Sequence, residues 1–217
     1  FFLFDIMFGL SKKEIKILKA LKTPKKIQDF LNKIPINFEE HGDTCYSPKT
    51  VLRNWKAHCI EGAMLAAAVL KLQGKKPLLV DMDSTEKDFA HVICVFQRDG
   101  CWGAISKTNH AVLRYREPIY KNIRELVMSF FHEYFDDNGK KTLRSYTNPI
   151  NLDRFDKFNW ISSEKDVWFI TDYLAKARHF PILTRSQIAG LRRADKPEIE
   201  AGKIVEWKPK KSVKSGK

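Results

Sequence analysis

The chain has 217 residues, 43% hydrophobic and 12% aromatic, which is enough to bury the core of one domain and too apolar for a disordered chain. The formal net charge of +13 gathers in Ser11 to Lys26 and Lys208 to Lys217 with no recognition-helix, RNP or KH pattern beside it. The charge therefore predicts weak, non-specific attraction of polyanions rather than sequence-specific nucleic-acid binding. Four cysteines, none in CxxC spacing, exclude a disulfide scaffold and a paired-cysteine zinc or redox motif, and they predict a reducing, cytoplasmic setting.

In chain order, "FFLFDIMFGL" is too short for a spanning helix, contains Asp5 and has neither a basic lead nor a small-residue cleavage site, so no membrane partner is expected. Residues 1–22 are expected to be an apolar and basic appendage, 23–190 the domain, and 191–217 a basic, disordered tail that folding does not need from Lys208 onward. Thr23-Pro24 opens a helix carrying Ile27, Phe30, Leu31 and Ile34 at helical spacing, and Pro35 ends it. Asn37 to His58 is a loop with a helical turn at Pro48 to Asn54. From Ile60 to Leu72 only Glu61 and Lys71 carry charge, which predicts a buried helix capped by Gly74. A buried strand over Lys76 to Met82 and a charged loop over Ser84 to Phe89 follow.

"HVICVFQ" (His91 to Gln97) and "CWGAISK" (Cys101 to Lys107) flank Asp99-Gly100, a hairpin turn pair. Pairing Arg98 with Cys101 sets Ile93 opposite Ser106 and His91 opposite Thr108, so His91 and Ser106 share a face while Cys94 alternates to the other. Glu117 to Phe135 and Ser162 to Phe180 carry helical spacing and are expected as helices covering the sheet. The fold class expected is α/β, of the α+β kind, with the buried helix packed on a small antiparallel sheet.

Cys59 stands where a loop meets that helix, and a thiolate is favoured at a helix N-terminus by unpaired N–H groups and the helix dipole. A cysteine by itself more often fills core space. His91, opening an apolar strand, supplies the imidazole that Cys–His chemistry requires, although a lone strand-end histidine is ordinarily a rim residue. His58, next to Cys59, reads as a loop residue, because adjacent side chains diverge. Cys45, Cys94 and Cys101 are not expected to react.

"C-x-x-x-A" at Cys59 to Ala63, the Leu-x-Gly-x-x-Pro of Leu72 to Pro77, His91-Val92 and Trp102-Gly103-Ala104-Ile105 together resemble the transglutaminase-like superfamily over roughly residues 23 to 135. The resemblance implies a papain-like core in which a helix cysteine, a strand histidine and an aspartate on the next strand form a triad. It also implies thiol-dependent acyl transfer or hydrolysis at amide bonds of a protein or peptide, with no cofactor and no metal. The triad acid falls at Ser106, which is not acidic; Ser106 or Asn109 would then orient His91. One oxyanion donor would be the Cys59 N–H; the second is not assigned, with Trp55 and the Asp43 to Tyr46 loop near enough in sequence to be candidates. The alternative is a catalytically reduced binding or scaffold module.

Overall fold

A computed structural model describes residues 8–208. Four helices come first: α1 (Lys12–Ala20), α2 (Pro24–Asn32), α3 (Pro48–Asn54) and α4 (Cys59–Leu72). Each of the first three begins at a hydroxyl that accepts from a first-turn N–H: Ser11 from Glu14, Thr23 from Lys26 and Ser47 from Thr50. α4 is buried on every side from Ile60 to Leu70, and Gly74, at φ 75°, takes the left-handed conformation that ends it.

The strands are β1 (Leu78–Ser84), β2 (His91–Arg98), β3 (Cys101–Ile105), β4 (Arg116–Tyr120), β5 (Leu143–Thr147), β6 (Ile150–Asn151) and β7 (His179–Pro181). They form one antiparallel, seven-stranded sheet ordered β4-β3-β2-β1-β5-β7, with β6 pairing the far end of β1 beyond β5. Asp99 and Gly100, both at positive φ, make the hairpin turn, and Arg98 faces Cys101 as the Asp-Gly pair predicts.

The two faces divide by alternation. Leu79, Val92, Cys94, Phe96 and Ile105 pack in one cluster with α1, α2 and α4. Val80, Met82, Ile93, Val95 and Ala104 pack in the other with Phe130, Tyr134 and helix α5 (Ile123–Met128). The architecture is mixed α and β with helices on both faces of the sheet, and among the described residues no helix is long and apolar enough to cross a membrane.

Several expectations need correction. The helix expected over Glu117 to Phe135 is in fact edge strand β4, then α5, then a 3-10 turn at Phe131–Glu133. Asn122 caps α5 and so separates it from the strand, while Pro118, unable to donate to a ladder, sits on the sheet edge where that costs least. The helix expected from Ser162 to Phe180 is α6 (Trp168–Lys176) followed by β7.

Residues 1–22 are no appendage from Phe8 onward, since Ile15 and Leu18 of α1 lie in the core. Nor is 191–217 a disordered tail up to Lys208. Helix α7 (Arg185–Ala189) leads to Ala194, whose N–H donates to the Gly139 carbonyl, and to helix α8 (Lys196–Gly202). Residues 203–207 then pair with 108–111 through Ala111 N–H to the Ile204 carbonyl and Glu206 N–H to the Asn109 carbonyl. Residues 1–7 and 209–217 lie outside the described residues.

Candidate active site

The approach to Cys59 is held by one buried acid. Glu61, fully buried on the first turn of α4, accepts from His58 N–H and Tyr46 N–H, each at 2.9 Å, from Thr44 Oγ1 at 2.9 Å and from Asn37 Nδ2 at 3.3 Å. A carboxylate so fully hydrogen-bonded ties the loop of residues 37–58 to the helix and fixes where Cys59 begins it. Glu61 is legible in sequence only as the one acid in an apolar helix.

The thiol of Cys59 opens into a cavity of about 860 Å³, whose wall includes His91, Phe38, Phe89, Lys107 and Tyr134 and, from the C-terminal segment, Ile199 and Lys203. Burial works against ionisation, yet hydrogen bonds to His58 and to His91, reinforced by the charge of both rings, hold the thiol well below the ordinary cysteine range. By contrast, burial pushes the thiols of Cys45 and Cys94 up, and Cys94 packs in the cluster on the side of the sheet opposite Ile93.

His91, at the start of β2, is buried, and its Nε2 lies 2.8 Å from Ser106 Oγ. Ser106 Oγ is also 2.6 Å from the Leu113 carbonyl, which can only accept, so the single hydroxyl proton goes there. The serine must therefore accept from His91, which fixes the proton of the neutral ring on Nε2 and leaves Nδ1 for Cys59. Ser106 lies just past the end of β3, short of the strand expected to Lys107, and its backbone is satisfied instead by the Gln28 side chain, at 2.9 Å through N–H and 2.8 Å through the carbonyl.

Asn109 lines the same cavity, but its amide is occupied by two hydrogen bonds to the backbone of Trp207, at 3.0 and 2.8 Å. Two of the candidates for a second oxyanion donor are also committed, and a third lies apart. Tyr46 N–H serves Glu61, Thr44 N–H serves Glu39 at 2.7 Å, and Trp55 packs edge-on against Phe30, away from the cavity wall.

Sequence reasoning passed over His58. Its backbone is extended at the N-cap while Cys59 begins the helix, and that change of dihedrals brings the two neighbouring side chains together. The His58 Nε2–H donates to the Thr44 carbonyl at 3.0 Å, with Glu39 Oε1 at 3.5 Å and Glu61 Oε1 at 3.6 Å behind it. Burial lowers the affinity of this ring for a proton, but the hydrogen bond to Cys59, then the charges of Cys59 and Glu61, outweigh it and raise the pKa to about 9.

Lys107 is a second surprise. Only 1% exposed, it reaches beneath α4 to donate to the carbonyls of Leu31 and Ile34 at the end of α2, and burial lowers its pKa to about 8. No protein-family model matches the chain, and no curated protein matches it in sequence.

Proposed function

We propose that this protein is a thiol-dependent acyltransferase or hydrolase acting on amide bonds of proteins or peptides, with a papain-like arrangement of the transglutaminase-like kind. The observation that carries the reading is the relay Leu113 carbonyl, Ser106 hydroxyl, His91 ring, Cys59 thiol, ending at a helix N-terminus on a cavity large enough for a peptide segment. His91 Nδ1 takes the thiol proton, and Cys59 Sγ attacks the amide carbon as the carbonyl π pair moves to oxygen, beside the Cys59 N–H. Collapse re-forms the C=O bond and breaks the C–N bond, and the leaving amine takes the proton from His91. The resulting thioester is resolved by water or a second amine, which passes its proton to His91 as Sγ departs as thiolate.

A neutral hydroxyl at position 106 supports a second reading, a binding module with reduced turnover, because serine cannot stabilise an imidazolium as a carboxylate does. Intact mass measurement after exposure to activated acyl donors, followed by turnover of peptide amides, separates the two. The expected result is one acyl group on Cys59, absent in Cys59→Ala, with release by water or amine. Adducts that persist in Cys59→Ala would remove the enzymatic reading, and adducts at Cys59 that are never released would favour the binding module.

A further inference from the structure

A triad whose third member is a hydroxyl lacks the charge that would favour separating thiolate from imidazolium. Two imidazoles, not one, meet the sulfur here, and their anchors differ. Each is fixed through Nε2–H, His91 to the neutral Ser106 hydroxyl and His58 to the Thr44 carbonyl. Only His58 has carboxylates behind that nitrogen, Glu39 at 3.5 Å and Glu61 at 3.6 Å. Glu61 is fully buried and Glu39 about one-third exposed, so solvent screens the first little and the second in part.

We propose that His58, backed by Glu39 and Glu61, is a standing cation that holds Cys59 as thiolate, and so replaces the charge that the missing acid would supply through the strand histidine. The proposal rests on the thiol-site reading above and assigns a division of labour within it, with His91 moving protons and His58 fixing charge. Its raised pKa agrees with the geometry, because against burial the Cys59 thiolate, the Glu61 carboxylate and the Thr44 carbonyl stabilise the charged ring. The other ionisable groups that feel the sulfur's charge are Cys45, Asp81 and Tyr134; none can carry positive charge, and burial raises the pKa of all three. Lys87, Lys107 and Lys203 line the same cavity, but the hydrogen bonds and charges that favour the thiolate come from His58 and His91.

The test is the alkylation of Cys59 by iodoacetamide across pH 5 to 10, read at the Cys59 peptide by mass spectrometry so that the other cysteines do not contribute. In His58→Gln the profile is expected to move to higher pH by a unit or more, so that alkylation at pH 6 falls about tenfold or further. At the alkaline end the rate should equal or exceed wild type, since a more basic thiolate is intrinsically the better nucleophile. A general structural lesion would lower the rate at every pH and would not give this crossover. An unshifted profile in folded His58→Gln would overturn the proposal.

Glu39→Gln keeps an acceptor for the Thr44 N–H and removes one charge behind the ring. It should shift the profile the same way by less, and it decides the matter should His58→Gln fail to fold, with no shift counting against the proposal. Alkylation reads the thiolate without any turnover. A His58-dependent profile in a protein that never forms an acyl adduct would overturn the enzymatic reading alone, and an acyl adduct with a His58-independent profile would overturn this inference alone.

Discussion

Ser106 has one proton to give and gives it to the carbonyl of Leu113, so toward His91 it acts only as an acceptor. The group is 1% exposed. Ser106→Ala should therefore leave a buried Nε2–H and a partly buried carbonyl without partners, the first costing about 1–3 kcal/mol in urea denaturation. It should also free the ring to rotate, lowering Cys59 alkylation at neutral pH; unchanged stability and reactivity would show that the serine does not hold the ring. The meeting of His91 with Ser106 was legible, because a two-residue turn fixes hairpin register and alternation does the rest. The meeting of His58 with Cys59 was not, because the rule that neighbouring side chains diverge fails where the chain passes from extended to helical dihedrals between two residues. Asn109 was a reasonable amide on sequence distance alone, and only the pairing of 108–111 with 203–207 shows that it is occupied.

At the scale of elements, α4 owes its position to close passage as much as to apolar surface. A methyl group at Gly62 would lie 2.4 Å from Lys107 Cβ and 2.9 Å from its Cγ, so the helix must be bare there for the buried lysine stem to run underneath. Gly62→Ala is expected to cost about 1–3 kcal/mol despite the higher helix propensity of alanine, because it overpacks a site whose neighbour is hydrogen-bonded at its far end. Chemical denaturation checks this, and a stabilised variant would mean that Lys107 can move aside.

α2, α3 and α4 were legible because caps, prolines and an uninterrupted apolar run agree with one another. β4 was not, since Ile119 belongs by spacing to the same series as Ile123 and Leu126; its 68% exposure shows that the series changes meaning at Asn122. The short partners β5, β6 and β7 left little periodicity to read, because strands of two, three and five residues are positioned by their neighbours rather than by their own pattern.

At the scale of the molecule, the segment from Ala194 to Trp207 acts as a brace. It bonds to Gly139 at one end and to the 108–111 stretch at the other, and His110 Nδ1 donates to the Gly202 carbonyl at 2.9 Å. The braced stretch leads directly into Leu113, whose carbonyl anchors Ser106. Ending the chain at Gly190 should lower the melting temperature by several degrees, on the scale of about 2–4 °C per kcal/mol for a domain of this size. It should also reduce Cys59 alkylation at neutral pH by loosening the relay. A truncated protein with unchanged melting and reactivity would show that the brace is ornamental.

The order of the sheet leaves β4 and β7 at the two ends of its main strand path, and each carries a proline, Pro118 on one and Pro181 on the other. An exposed strand edge is a template on which another chain can lay a strand, and a missing N–H breaks the template at that rung. β7 is three residues long, so one absent donor removes much of what it could offer. Ile182 N–H donates inward to the Arg144 carbonyl, so the position of Pro181 faces outward, and the β7 margin thus resists growth by lateral addition.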